Sequence, residues 1–255
     1  MKRYFRTYLL ISLVLLLISA DLRSQNVRYR LQEHDQKRYY FGFYLATNQM
    51  NFSINTKRSL LGSTHDLTGL TNISGVNLVE FYGVYSEPTM GFTIGLVGNK
   101  KINQYMDLRF TPGLAFGERN LKYTFKDLRF TDSVFTEDVP IRTTQIELPV
   151  TVNFKSKRAK NFRAYVLAGA KLSIDLAVDS DSNNSINNGV VVLNKSSLNI
   201  EVGTGFDYYM SFFKFGVELK MAYGINDIKS SSGNIYSDGI RTLRSKIFML
   251  SLTFE

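Results

Sequence analysis

The chain of 255 residues contains no cysteine, no tryptophan and only two histidines. Without cysteine it forms no disulfide and performs no thiolate catalysis. His34 and His65 are too sparse for a metal site, and no HExxH, GxSxG or phosphate-loop motif occurs. We therefore expect a protein that is not an enzyme and that has no catalytic residues, cofactor or metal.

One arrangement in the sequence imitates a catalytic group. Some lipid-modifying enzymes use a Ser–His–acid group, and Ser63, His65 and Asp66 match that composition. Adjacent loop residues rarely reach triad geometry, however, and turn chemistry explains the same residue types. A lipid-modifying enzyme remains the less favoured alternative.

Long apolar runs are also missing after the first residues. A basic start is followed by an apolar run over residues 8–18, shorter than the ~20 residues that usually span a bilayer. Small residues come next, and cleavage after Ala20 or after Ser24 fits equally well. We predict a secretion signal over residues 1–24 and a periplasmic lead-in over residues 25–38.

The net charge is +9, but the basic residues are scattered among short segments and do not form one face. This distribution argues against a nucleic-acid partner, and attraction to anionic lipid headgroups explains it better. We expect outer-membrane lipid as a partner and no small-molecule substrate.

Eight later segments alternate apolar with polar residues, as in Phe213–Tyr223. Because strand side chains alternate with period two, each segment has one apolar and one charged face. The secretion signal favours apolar faces against lipid and enclosed charges. A soluble sandwich with these faces reversed is the alternative fold. The strands are predicted at about residues 39–54, 89–97, 105–116, 144–154, 162–178, 198–208, 213–223 and 243–254.

The connections between these strands alternate between long and short. Aromatic residues gather at the short-turn ends, where an interfacial girdle would lie. The pattern predicts an all-β protein, an eight-stranded antiparallel up-and-down transmembrane β-barrel over residues 39–255, in the bacterial outer membrane with both termini periplasmic. A parity change at Met50 predicts a bulge near residues 47–49, and Pro112 predicts another. Long loops are predicted at about residues 55–87, 117–142, 179–195 and 226–239.

The polar faces place charges inside a barrel only wide enough for side chains. Unpaired, each enclosed charge would cost several kcal/mol, so we expect an ion-pair network. It could line a narrow ion path, but a plug is favoured. Its predicted members are Asp107, Arg109, Glu147, Arg163, Lys171, Asp175, Glu201, Asp207, Lys214, Glu218 and Lys220.

Several segments resemble motifs of the PorT family of Bacteroidetes type IX secretion. They are LRFTPGLAFGERNL at residues 108–121, ELPV at 147–150 before the basic turn KSKR at 155–158, FKF at 213–215 leading into ELK at 218–220, and FMLS at 248–251. The resemblance implies an outer-membrane component that supports export of proteins with C-terminal sorting domains, alongside other secretion-system proteins, and gliding in organisms that glide.

The most specific part of this resemblance is Gly117-Glu118-Arg119-Asn120. It is predicted to lie where the third strand leaves the membrane. Glu118, Arg119 and Asn120 could contact a partner on the outer side, since loops on rigid scaffolds often carry function. A strand-end turn with a local Glu–Arg pair is the equal alternative. A small general outer-membrane barrel or porin is the alternative function.

Overall fold

The computed structural model describes residues 37–57, 64–66, 78–127, 134–177, 193–229 and 239–255. The predicted signal and most of the lead-in lie outside the described residues. Among the described residues, no helix is long and apolar enough to cross a bilayer. The strands are β1 Tyr39–Thr56, β2 Thr64–Asp66, β3 Leu78–Lys101, β4 Met106–Phe110, β5 Gly113–Asp127, β6 Val134–Lys155, β7 Phe162–Asp175, β8 Ser196–Tyr209, β9 Lys214–Gly224 and β10 Ile240–Phe254.

The antiparallel sheet closes on itself. β1 pairs with β10 on one side and with β3 on the other, and β6 to β10 pair in sequence. β4 and β5 together fill the position between β3 and β6. Eight strand positions therefore form a ring, which confirms the predicted all-β fold. Closure leaves no open edge in the bilayer-spanning part, as lipid requires of a backbone.

The bulge predicted at Pro112 is wrong, because β3 and β6 keep the same register on both sides of this residue. The strand is interrupted there instead. β4 ends at Phe110 and β5 begins at Gly113, so Thr111 and Pro112 belong to neither strand. Proline has no N–H to donate to a ladder, which explains a break at this point. The Leu96 N–H still donates to the Pro112 carbonyl at 2.9 Å, so the two halves stay aligned.

The predicted bulge near residues 47–49 is wrong. The register of β1 against β10 and β3 runs through this segment without a shift. Asn48, Met50 and Phe52 all point inward and are buried. The side chains keep their parity, and what changes is the environment on each side of the sheet.

This change of environment is clearest on β5. Leu114 and Phe116 face outward near the start of the strand, whereas Glu118 and Lys122 face outward farther along. On the outside, Lys122 Nζ lies 2.7 Å from an oxygen of Glu87 and 3.8 Å from one of Asp138. The next three inward positions after Arg119 are apolar and buried: Leu121, Tyr123 and Phe125.

Strand length explains the inversion. β3 has 24 residues and β6 has 22. At about 3.4 Å per residue β3 is roughly 80 Å long, while about 9–11 tilted residues span a bilayer. The strands continue beyond the lipid, where water wets the outside and apolar groups move inside. We call β3 78–88, β5 117–127 and β6 134–143 the extension.

The extension overturns two predicted loops. Residues 117–142 are mostly strand, because β5 and β6 pair from Gly113↔Glu147 to Lys126↔Val134. Within residues 55–87, β2 pairs with the start of β3. Loop 179–195 falls largely outside the described residues, as does much of loop 226–239. The turns at the other end of the barrel are short, and we call it the short-turn end.

Candidate functional site: the barrel interior

All eleven sequence-predicted charges point into the barrel and are buried, each with at most 8% of its surface exposed. They occupy two adjacent groups along the axis. One group lies near the short-turn end around Arg109, and the other surrounds Lys171. Alternation along regular strands explains this convergence, since every second residue faces the lumen.

Arg109 is the centre of the first group. From β4 it donates to Glu218 on β9, and its Nη2 donates to Glu255 Oε1 at 2.5 Å. Lys214 Nζ lies 2.8 Å from Glu255 Oε2 and 3.4 Å from Asp207 Oδ2. The cations thus bridge β4, β8, β9 and the residue after β10.

Asp107 extends the first group. It accepts hydrogen bonds from the Tyr40 hydroxyl and from Lys155 Nζ, the latter at 2.5 Å. The Arg163 guanidinium lies 5.8 Å from the centroid of the Tyr209 ring. Charged and aromatic side chains therefore fill the lumen at the short-turn end.

The second group holds Lys171. Its Nζ lies 2.8 Å from Glu147 Oε1 and 3.7 Å from Glu201 Oε2. Asp175 accepts a hydrogen bond from Gln145 Nε2 at 3.3 Å. Lys220 Nζ lies 3.2 Å from Glu218 Oε2, which joins the two groups. Together they form a continuous polar filling, as expected when enclosed charges need partners.

Tyr44 crosses the lumen between these groups. Its ring fills the space left by Gly95 and Gly113, where an added Cβ would overlap the ring or its hydroxyl. The Tyr44 hydroxyl is 3.4 Å from the Thr111 carbonyl, and Lys220 Nζ lies 5.2 Å from the ring centroid. Glycine at two adjacent inward positions therefore allows a large aromatic ring to obstruct the lumen.

An apolar cluster closes the interior at the level of the extension. We call it the apolar cap. Leu193 and Ile228 reach it from the segments that connect β7 to β8 and β9 to β10, and a bridge between Leu193 and Lys229 joins those segments. The buried members of the cap are Phe52, Phe81, Leu121, Tyr123, Phe125, Leu193, Ile228, Ile240 and Leu243.

Arg119 lies between the polar filling and the apolar cap. It is 2% exposed, and its guanidinium carbon is 4.9 Å from the centroid of the Phe52 ring. The prediction that Arg119 contacts a partner on the outer side is therefore wrong, because the residue is in mid-strand and faces inward. Glu118 and Asn120 have the opposite parity and face outward, half-buried.

Sequence reasoning missed several members of the polar filling. Glu255 follows the last predicted strand. Tyr40 lies among the aromatic residues that the sequence places at the short-turn ends, and Lys155 begins the predicted basic turn at residues 155–158. Tyr40 and Tyr44 are buried inward-facing phenols. Tyr165, which alternation along its predicted strand already places inward, donates to Glu218 at 2.7 Å. Strict parity would have found Tyr40 and Tyr44, since Phe41, Phe43 and Leu45 alternate with them.

The Ser–His–acid arrangement cannot be assembled from the described residues. His65 and Asp66 lie in β2, whereas Ser63 and His34 are outside the described part of the chain. In that part, no group of three or more His, Asp or Glu residues has the geometry of a metal site.

Sequence comparison provides the family. A family model described as "Outer membrane protein beta-barrel domain" matches residues 23–230. The chain belongs to this family. Its membership and its closed sheet identify it as an outer-membrane β-barrel protein. No curated protein matches the chain significantly.

Three solved structures are similar at low identity. Neisserial surface protein A (NspA) is 11% identical, with a TM-score of 0.40, over 85% of this chain and 98% of that one. OprG from Pseudomonas aeruginosa is 12% identical, with a TM-score of 0.38, over 84% and 94%. LpxR from Salmonella typhimurium is 11% identical, with a TM-score of 0.27, over 83% and 99%.

Proposed function

We propose that this chain is a closed outer-membrane barrel that supports protein export by the type IX secretion machinery through contacts, without catalysis or conduction. The observation that carries the closed state is the double filling of the lumen. Ion pairs around Arg109 and Lys171 fill one part, and the apolar cap fills the next. A barrel closed in both parts acts through its surfaces.

The extension is the surface that supports a contact role. Its outer face carries polar and charged groups, among them Glu87, Lys122 and Asp138. Its inner face is packed with buried aromatic rings such as Phe81 and Phe125, 6.0 Å apart. A rigid, water-facing sheet is a suitable platform for a partner protein. We place it on the cell exterior, with both termini periplasmic.

The type IX assignment is supported by the resemblance of residues 108–121, 147–150 and 213–220 to the PorT family. Within the first segment, Phe110, Gly113 and Ala115 surround the β4–β5 break, and Arg119 lies beneath the apolar cap. These positions shape the barrel wall and its filling. The motif therefore supports a shared architecture, and export requires a direct test.

Export is tested by deleting the gene in its native host and measuring secretion of proteins with C-terminal sorting domains. We expect loss of export, restored by the wild-type chain. Restoration should fail when the extension's outer charges are reversed by Glu87→Lys with Asp138→Lys, while Lys157→Glu at the short-turn end restores it. Surface display of each variant serves as the control for assembly. Normal export in the deletion strain would contradict the proposal.

A small general outer-membrane barrel is the second candidate. Membership in the outer-membrane β-barrel family fits this function equally well. On this account the deletion strain exports cargo normally but shows altered sensitivity of its envelope to detergents. The same strain therefore distinguishes the two functions.

A further inference from the structure

The outer wall near the short-turn end contains an apolar groove of about 320 Å³. This volume lies at the small end of the ~300–1,000 Å³ range of small-molecule pockets. Gly98 on β3 forms its floor between Phe41 on β1 and Phe110 on β4, which are its partners in register. The groove exists because Gly98 points outward from β3, whereas the neighbouring outward positions of this strand hold large side chains. Its remaining lining residues are Tyr39, Asn99, Lys100, Leu108 and Val150.

Two cations stand at one end of this groove. Lys100 Nζ lies 6.0 Å from the centroid of the Tyr39 ring, and the Arg38 guanidinium carbon lies 5.8 Å from it. Both residues are exposed, and among the described residues neither forms an ion pair with a carboxylate. An anion at this end would meet two positive charges and an aromatic ring.

We propose that this groove is a binding site for an anionic glycerophospholipid, with an acyl chain along Gly98 between Phe41 and Phe110 and the phosphate beside Arg38 and Lys100.

The position of the groove selects this occupant. Phe41 is 75% exposed and Phe110 43%, on the apolar outer wall that faces hydrocarbon in an outer-membrane barrel. The cations and Tyr39 lie toward the short-turn end, where an interfacial level is expected. The groove therefore offers an apolar surface and then two cations, in the order in which a phospholipid presents its acyl chain and its phosphate. Such a lipid site does not depend on a role in secretion.

The absence of tryptophan allows a test with a single fluorescent reporter. Phe110→Trp places the reporter in the groove, and Phe248→Trp places a control on the outer face of β10. Each full-length variant is reconstituted with phospholipids whose acyl chains are brominated and therefore quench tryptophan. We expect phosphatidylglycerol to quench the Phe110→Trp reporter more strongly than phosphatidylcholine does at equal mole fraction, with no such preference for Phe248→Trp.

The cations and the floor are then tested separately. Because one basic residue contributes about 1 kcal/mol near an anionic lipid surface, Lys100→Glu should reduce the preference at least about fivefold. Lys157→Glu at the same end of the barrel is the matched control and should retain it. Gly98→Leu should abolish the preference, because the leucine side chain fills the floor of the groove. The fold should tolerate this change, since an added Cβ meets Phe41 and the Phe110 carbonyl at an ordinary 3.7 Å.

Gly83→Leu is the control for Gly98→Leu, since an added Cβ at Gly83 meets nothing within 4 Å. The heat-dependent shift in gel migration verifies that every variant is folded. Equal quenching by the two lipids at Phe110→Trp would overturn the proposal. So would an equal preference at Phe248→Trp, or a preference that survives Lys100→Glu or Gly98→Leu.

Discussion

Arg109 on β4 and Glu218 on β9 form an ion pair across the whole width of the barrel. Their strands occupy opposite positions in the ring of eight. Both side chains are almost fully buried, so neither can exchange its partner for water. The pair therefore ties opposite walls together and occupies the path that a solute would follow.

Removing one side of this pair should destabilise the barrel. Glu218→Ala leaves Arg109, Lys220 and the Tyr165 hydroxyl without their shared acceptor. Breaking a buried pair by deleting one partner costs about 3–5 kcal/mol. We expect a lower unfolding temperature, measured by heat-dependent gel migration.

The matched control for Glu218→Ala is Glu87→Ala, which removes an exposed acceptor from Lys122 on the outer face. Surface pairs contribute little to stability, so this variant should unfold at nearly the wild-type temperature. Equal losses in the two variants would show that burial does not set the energy of the internal pairs.

Tyr44 and Gly113 should be energetically coupled. An added Cβ at Gly113 would overlap the Tyr44 hydroxyl, and overpacking of this kind costs about 1–3 kcal/mol. Tyr44→Phe removes the oxygen and should reduce the loss caused by Gly113→Ala. Unfolding of the two single variants and the double variant measures the coupling. Additive losses would mean that the tyrosine does not occupy the space above the glycine.

Cysteine labelling tests the inverted extension without background, because the chain has no cysteine. An impermeant maleimide applied to intact cells should label Lys122→Cys on the outer face of the extension. Phe92→Cys should stay unlabelled because lipid covers it, although the side chain is 58% exposed in the isolated chain. Phe125→Cys should stay unlabelled inside the apolar cap.

Lys157→Cys completes the labelling series. It should react only after the outer membrane is permeabilised, since the short-turn end is proposed to be periplasmic. Labelling of Phe92→Cys as fast as Lys122→Cys would indicate water on the whole outer wall, as in a soluble sandwich.

The sequence predicts β7 to β10 within a few residues. The prediction for 213–223 compares with Lys214–Gly224 in β9. These strands keep apolar residues outward and charges inward for most of their length, so one periodic signal describes them. The prediction that Glu218 and Lys220 face inward follows from the same alternation.

The extension could not be recognised in this way. Where β1, β5 and β6 leave the lipid, the apolar face moves from the outside of the barrel to the inside. Around that point the alternation of apolar with polar residues loses its regular period. Met50 then resembles a parity slip, and Arg119 resembles the start of a loop. The glycine groove needs tertiary structure too, because its walls, Phe41 and Phe110, are 69 positions apart in the chain.

Single-channel recording in planar bilayers tests the closed lumen most directly. The purified chain should insert without conductance steps, because the polar filling and the apolar cap obstruct the path in series. Arg109→Ala with Glu218→Ala should also remain silent while the cap is intact. Regular, porin-like conductance steps from the wild-type chain would contradict this account.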